Sequence, residues 1–256
     1  VLGPSGGDYL LLRPGNDVSR VLRVTPDGTR TRVLEYPAAH QVTLAADGET
    51  LLRYVQRRVD GDWRTVIRTH DPVTGDVLDR RRFTGIVDVL DADAGRVVLG
   101  SWTPRERTLL WDVAADTTRL LVRQAGYLAD LRADRLGTFT KDPYLGGCTV
   151  LRRLSAPGQV LSRSCDERAA AISPSGRRVA TIHILSDGLG PREVSVRRDL
   201  GRKLVDYRVA EWFGRIDFET DRALLLEASG REKQAVVRCE GITCERATRT
   251  RPTPTY

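Results

Sequence analysis

Short apolar runs alternate with tight polar turns along the whole chain, and no apolar run exceeds about four residues. The alternation is itself periodic. A first Gly- or Asp-centred turn falls at Gly7, Gly48, Gly95, Asp134, Gly176 and Asp221, and a second near Gly28, Gly75, Asp116, Gly158, Gly201 and Gly241. Both series advance by about 40 to 47 residues per step, with strands before, between and after the turns. Four short strands in a repeat of that length make a propeller blade. The pattern predicts an all-β fold, a six-bladed β-propeller of four-stranded antiparallel blades with almost no helix. The blades are expected at about 1–37, 38–84, 85–123, 124–166, 167–210 and 211–250, with 251–256 as a C-terminal tail of one propeller domain.

The fifth repeat shows how the pattern works. Ala169-Ala170-Ala171-Ile172 is a strand of small residues, and Ser173-Pro174-Ser175-Gly176 turns the chain, proline presetting one dihedral and glycine permitting positive φ. Arg177 to Ile184 reads as the second strand and Glu193 to Arg197 as the third, before a turn at Asp199-Leu200-Gly201. Second strands recur as Tyr9–Leu12, Leu51-Leu52, Val97–Leu99 and Leu224–Leu226, near-continuous apolar runs suited to a sheet covered on both faces. Only Val1 and Leu2 precede the first turn region, so most of the innermost strand of blade one is expected to be missing and its closure irregular. Residues upstream of Val1 are the favoured source of that strand, because Pro252 and Pro254 make the tail a poor central strand.

These phrases carry a resemblance. Ser173-Pro174-Ser175-Gly176-Arg177-Arg178-Val179-Ala180 resembles the S-P-D-G-(K/R)-x-(I/L/V)-A phrase of TolB-type, WD40-like propeller repeats. Leu110-Trp111-Asp112-Val113 is similar to the end of a WD40 third strand, and His70-Asp71-Pro72-Val73-Thr74-Gly75 to the turn that follows it. The Gly-His dipeptide of true WD40 blades is missing, so their Asp-His-Ser/Thr-Trp network is not implied. The resemblance implies a bacterial propeller with a binding role and no particular activity.

The four cysteines fall where strand register pairs them. In repeat four, a hairpin turning near residues 156 and 157 sets Cys148 opposite Cys165. In repeat six, a two-residue turn at Gly241-Ile242 sets Cys239 opposite Cys244, at a non-hydrogen-bonded position where Cα atoms come closest. Two local disulfides are expected, with free thiols and a metal site as the competing readings. Disulfides place the protein outside a reducing cytosol: extracellular, periplasmic or at the cell surface. Methionine is absent, so residues upstream of Val1 are expected to have been removed, as export removes a signal peptide; a trimmed chain would look the same.

Composition adds less. Of 41 basic residues only Lys141, Lys203 and Lys233 are lysines, and the net charge is +7. The arginines spread over every blade, which argues against a nucleic-acid surface. No segment approaches the roughly 20 apolar residues needed to span a bilayer as a helix.

No nucleophile–base pair can be assembled. Gly3-Pro4-Ser5-Gly6-Gly7 matches G-x-S-x-G formally but sits in turn register, without the strand-to-helix setting of a nucleophile elbow. Asp91-Ala92-Asp93-Ala94-Gly95 echoes a calcium loop and lacks its later ligands. His70 and His183 fall on strands, and His40 falls in the link between blades one and two. Neither a catalytic residue nor a metal or other cofactor is expected. The candidates for ligand binding are Trp63, Trp102, Arg105, Tyr144, Trp212, Arg231 and His40, all in loops between second and third strands or in links between blades, where aromatics with arginine favour contact. The expected function is a non-catalytic, exported, monomeric propeller that binds a protein or cell-envelope ligand through one ring face. Two alternatives stand beside it: a lactonase-like or glycosidase-like propeller enzyme with a carboxylate or metal site in the channel, and an accessory domain of a larger protein.

Overall fold

The computed structural model describes residues 1–93, 95–198 and 201–253. Ala94, the Asp199-Leu200 part of the turn named above and the end of the tail from Pro254 lie outside the described residues. The chain divides into two compact units, Val1–Gly126 and Tyr127–Tyr256.

The first unit holds three four-stranded sheets. Blade one is β1 (Gly3–Ser5), β2 (Asp8–Arg13), β3 (Val18–Val24) and β4 (Arg30–Pro37); blade two is β5 (Gln41–Leu44), β6 (Leu51–Val59), β7 (Asp62–His70) and β8 (Val77–Thr84). Blade three is β9 (Val87–Asp93), β10 (Arg96–Ser101), β11 (Arg107–Asp112) and β12 (Thr117–Val122). In the second unit, blade four is β13 (Gly126–Asp130, entered from the last residue of the first unit), β14 (Arg135–Phe139), β15 (Thr149–Arg152) and β16 (Val160–Ser164). Blade five is β17 (Glu167–Ile172), β18 (Arg178–His183), β19 (Glu193–Arg198) and β20 (Arg202–Arg208). Blade six is β21 (Trp212–Phe218), β22 (Ala223–Ser229), β23 (Lys233–Glu240) and β24 (Thr243–Arg246), with β25 (Arg251–Pro252) added to β23. Every sheet is an antiparallel meander, and the helix among the described residues is one 3-10 turn at Pro143–Leu145.

The turn residues do what the sequence required of them. Gly48, Gly75, Gly95, Gly176 and Gly241 have positive φ, and where a repeat carries aspartate instead, Asp116 and Asp134 take φ of 47° and 57°. Aspartate tolerates the left-handed region better than most residues because its short side chain bonds locally. The Asp134 side chain also reaches across its blade, accepting from the Ser155 amide at 2.7 Å.

Blade one departs from expectation. Its innermost strand is present as β1, paired Gly3↔Leu10, Pro4↔Tyr9 and Ser5↔Asp8, so the strand lies inside the segment read as turn. The reason is local: Gly6 and Gly7, both at positive φ, suffice to reverse the chain and free Gly3–Ser5 to pair. The tail does not act as a central strand; Arg251 and Pro252 pair with Gln234 and Lys233.

Apolar residues are buried between neighbouring sheets of a unit. Leu10, Val21, Val33, Tyr36 and Leu51 join blades one and two; Leu52, Tyr54, Ile67, Leu99 and Trp111 join two and three. In the second unit Leu151, Ala169 and Val179 join blades four and five, and Ala180, Val194, Phe213, Leu224 and Leu226 join five and six. Trp111 is fully buried, edge-on to Phe83 at 6.0 Å, with the Arg81 guanidinium 5.6 Å from its centroid.

Both disulfides form as register demands: Cys148–Cys165 and Cys239–Cys244, each with a Cα separation of 4.1 Å. The ladder Thr149↔Ser164, Val150↔Arg163 carries the first pair, and Cys239↔Cys244 is a ladder pair itself.

Candidate functional site

A meander alternates its turns, so the loops between second and third strands share one end of each sheet with the links to the next blade. The seven residues expected to bind lie at that end, and the structure places them in small groups.

In the first unit, Trp63 opens β7 opposite Arg58, whose guanidinium sits 5.9 Å from the indole centroid. Trp63 lines a depression of about 370 Å³ with Asp62, Thr84, Thr103 and Pro104. Trp102 is held differently, half-buried, with its Nε1–H donating to Asp88 at 2.9 Å. Asp88 also accepts from Gln56 at 2.7 Å, so the indole steadies, within blade three, the carboxylate that ties blade two to blade three. Arg105 is exposed in the same loop. His40 stacks on Tyr36 with centroids 6.4 Å apart, and its Nδ1 is buried without a hydrogen-bond partner. Burial first, then the charges of Arg53, Arg68 and Arg57, hold its pKa below the ordinary histidine value.

In the second unit, Tyr144 is 63% exposed and its hydroxyl donates to Asp187 across from blade four to blade five. Arg231 pairs with Glu211 at 3.7 Å, and Arg192 reaches the same carboxylate at 3.5 Å. Trp212 is half-buried beside Gly190. Gly190 has φ of 125°, and a Cβ there would stand 2.0 Å from the Phe213 carbonyl, so only glycine lets this loop close on β21.

These loops border a depression of about 390 Å³. Its lining is mixed, with Leu128, Ala170, Ile182 and Ile216 beside Arg168 and Ser186, and Leu189, also in the lining, is 48% exposed. Among the described residues the one carboxylate lining it is Asp187, which Tyr144 holds.

A second cleft, about 250 Å³, lies between blades four and five and has a different character. Glu167 accepts from Arg197 through Nη2 at 2.6 Å and Nε at 2.7 Å, and from the Thr181 hydroxyl at 2.7 Å. The Arg197 hydrogen bonds keep the Glu167 carboxyl below the usual glutamate value despite its partial burial. A carboxylate with three donors and a depressed pKa is a poor general base. Tyr127, lining the same cleft, is half-buried, its phenol pushed up to about 12 by desolvation, and it accepts from the Ala169 amide at 3.2 Å. Asp130 is raised instead, by burial, but it caps the following turn through the Ala133 amide at 2.6 Å.

The sequence motifs screened for chemistry are absorbed by the fold. Ser5 is buried and donates to the Gly48 carbonyl at 2.6 Å, with a strand after its turn where a nucleophile elbow needs a helix. His70 is buried and bonds the Gly75 carbonyl through Nδ1 at 2.9 Å, and His183 accepts from the Leu185 amide at 3.2 Å. Among the described residues no three His, Cys, Asp or Glu side chains converge to hold a metal ion. Sequence reasoning missed the Glu167–Arg197 pair and the Tyr144–Asp187 contact, since each joins residues 30 or 43 positions apart with no motif between.

No protein-family profile matches the sequence, and no curated protein is similar to it. Solved structures do match. The β-propeller domain of the Trilobed protease from Pyrococcus furiosus, described as having an open velcro topology, aligns at a TM-score of 0.66 and 12% identity over 97% of this chain and 80% of that one. TolB from Acinetobacter baumannii aligns at 0.60 and 11% identity over 91% of this chain and 60% of that one. The acylaminoacyl peptidase of Pyrococcus horikoshii aligns at 0.69 and 12% identity over 97% of this chain, which spans only 44% of the peptidase. Identities this low speak to fold alone. The chain therefore folds as an all-β, six-bladed β-propeller, the fold it shares with TolB and with the protease propeller domain.

Proposed function

We propose that the six blades form one exported, monomeric, non-catalytic propeller that holds a protein or cell-envelope ligand at the loop end of its blades. The observation that carries this reading is the depression that sets Leu128, Ala170, Ile182, Leu189 and Ile216 around an Asp187 already bonded to Tyr144. A hydrolytic propeller needs free carboxylates or a nucleophile at such a place. Here the lining carboxylate is already bonded to Tyr144, and exposed Tyr144 and Leu189 supply the amphipathic contact surface that recognition favours. Export is supported by the two disulfides, which suit an oxidising compartment.

The test combines capture and turnover. Immobilised protein is exposed to solubilised envelope fractions and compared with a Tyr144→Ser/Leu189→Asp variant; retention of the same ligand by both overturns the assignment of the face. A panel of lactone, ester and glycoside substrates is run alongside. Turnover that disappears in Asp187→Asn would replace the binding reading with an enzymatic one.

A second reading is a propeller that accompanies another domain. It is favoured by the match to a peptidase of which this chain spans less than half.

A further inference from the structure

The side of blade two that faces blade one concentrates positive charge over three neighbouring rows. Leu51 packs with Leu10, Val33 and Tyr36 of blade one, while Leu52 and Tyr54 pack with Trp111 of blade three. Strand alternation then puts Arg53, Val55 and Arg57 of β6 on the blade-one side. Register extends the set across the sheet. Arg53 is opposite Arg68, and Arg68 is opposite Arg80, a row of three arginines over three strands. The next row on that side is Val55, Val66 and Arg82, and the next is Arg57, Arg64 and Thr84.

Like charges directly opposite one another weaken a ladder, and sheets ordinarily interleave opposite charges. Elsewhere many arginines are paired, among them Arg20, Arg23, Arg81, Arg153, Arg197, Arg208 and Arg238, each with a carboxylate partner, although Arg178, Arg198 and Arg202 make a second row without one in blade five. Among the described residues, none of Arg53, Arg57, Arg64, Arg68, Arg80 and Arg82 forms an ion pair with a carboxylate. The partly buried end of the row also holds polar atoms with no hydrogen-bond partner: Nε of Arg53, Nδ1 of His40 and Nε2 of His70. Burial, followed by the neighbouring arginines, draws the pKa of Arg68 below its ordinary value, and that of His40 likewise. Positive charge is therefore concentrated here and left uncompensated, against local stability. Such conflicts mark places where a ligand completes the site.

We propose that this side of blade two binds a compact polyanion, a ligand carrying two or three linked phosphate groups, across the Arg53–Arg68–Arg80 row with Arg82, Arg57 and Arg64 around it. The chemistry selects phosphate because a guanidinium presents paired N–H donors that match its oxygens. Adjacent strands lie about 4.8 Å apart, so the three-arginine row spans about 10 Å, the scale of a short phosphate chain. Single-stranded nucleic acid is disfavoured because stacking rings are missing: Tyr36 is buried, and Tyr54 and Trp63 belong to the opposite side of the sheet. The arginines, dispersed in sequence, are gathered here by two hairpins. The site stands independently of the loop-end reading.

Isothermal titration calorimetry with sodium tripolyphosphate and with inorganic phosphate, at low and at physiological salt, tests the proposal. Tripolyphosphate is expected to bind one site, at least about tenfold tighter than inorganic phosphate, and to weaken as salt rises. The variant Arg80→Glu/Arg82→Glu alters exposed residues and is expected to weaken binding about tenfold or more, while Arg177→Glu, an exposed arginine of the second unit, leaves it unchanged. No heat with tripolyphosphate, an equal loss in Arg177→Glu, or tighter binding of a DNA oligomer of matched charge would overturn it. The wild-type comparison of the two phosphates decides the matter even if the double variant fails to fold.

Discussion

The two disulfides offer a direct check on how the blades are stabilised, because both lie in the second unit and each closes a single hairpin. The perturbation is to replace each pair by alanines, giving Cys148→Ala/Cys165→Ala and Cys239→Ala/Cys244→Ala. Their sequence separations are 17 and 5. If a cross-link acts by removing loop entropy from the unfolded chain, those separations correspond to about 3.1 and about 2.1 kcal/mol at 25 °C. Each pair has one buried sulfur, on Cys148 or Cys239, and one more exposed partner, so the packing losses are similar. The difference of about 1 kcal/mol is then the quantity to trust. Urea unfolding followed by circular dichroism, with both variants and the oxidised parent in one buffer, gives the midpoints and slopes. The Cys148/Cys165 variant should be the less stable, its midpoint falling furthest at an unchanged slope. Equal losses, or a larger loss from the five-residue loop, would refute the entropic reasoning for this protein.

Two further outcomes follow from packing and charge. Trp111→Ala removes a fully buried indole between blades two and three and is expected to cost about 3–5 kcal/mol, read as a lowered midpoint of the first unit; Trp111→Phe should recover a good part of it. Glu167 has a folded-state pKa below the ordinary value, so its contribution is fully present above the unfolded pKa near about 4.3 and is lost as pH falls through the folded one. Glu167→Gln should therefore cost about 1–2 kcal/mol at neutral pH, with the gap to wild type narrowing as the pH is taken below about 4; a gap that does not change with pH would show the carboxylate charge to be irrelevant.

What the sequence made legible was everything that depends on chain-local geometry. A turn needs a residue that tolerates positive φ, so Gly48, Gly75, Gly176 and even Asp116 and Asp134 announce themselves. Hairpin register follows from the turn, which is why Cys239 could be set opposite Cys244 by counting. Contacts between side chains leave no such trace. Trp102 reads as a binding residue until its Nε1–H is seen on Asp88, and Glu167 meets Arg197 only because β17 and β19 flank one strand of the same sheet. Blade one was misjudged for a related reason: a strand of three residues, Gly3–Ser5, is too short to register as alternation and is recognised only by its partner β2.

The ladders have a bearing on how the chain reaches its fold. Every sheet is assembled from one uninterrupted stretch, and even the widest strand pairings reach only from Arg64 to Thr84 or from Arg178 to Arg198. Among the described residues, blade one borrows no strand from the C-terminal end. Loop closure for each ladder is therefore inexpensive, and a blade can be complete as soon as its own segment has left the ribosome. Among the described residues, a cut in any link between blades would sever no ladder hydrogen bond, so a chain break placed at Ala38-Ala39 or at Ala210-Glu211 should leave every sheet able to form.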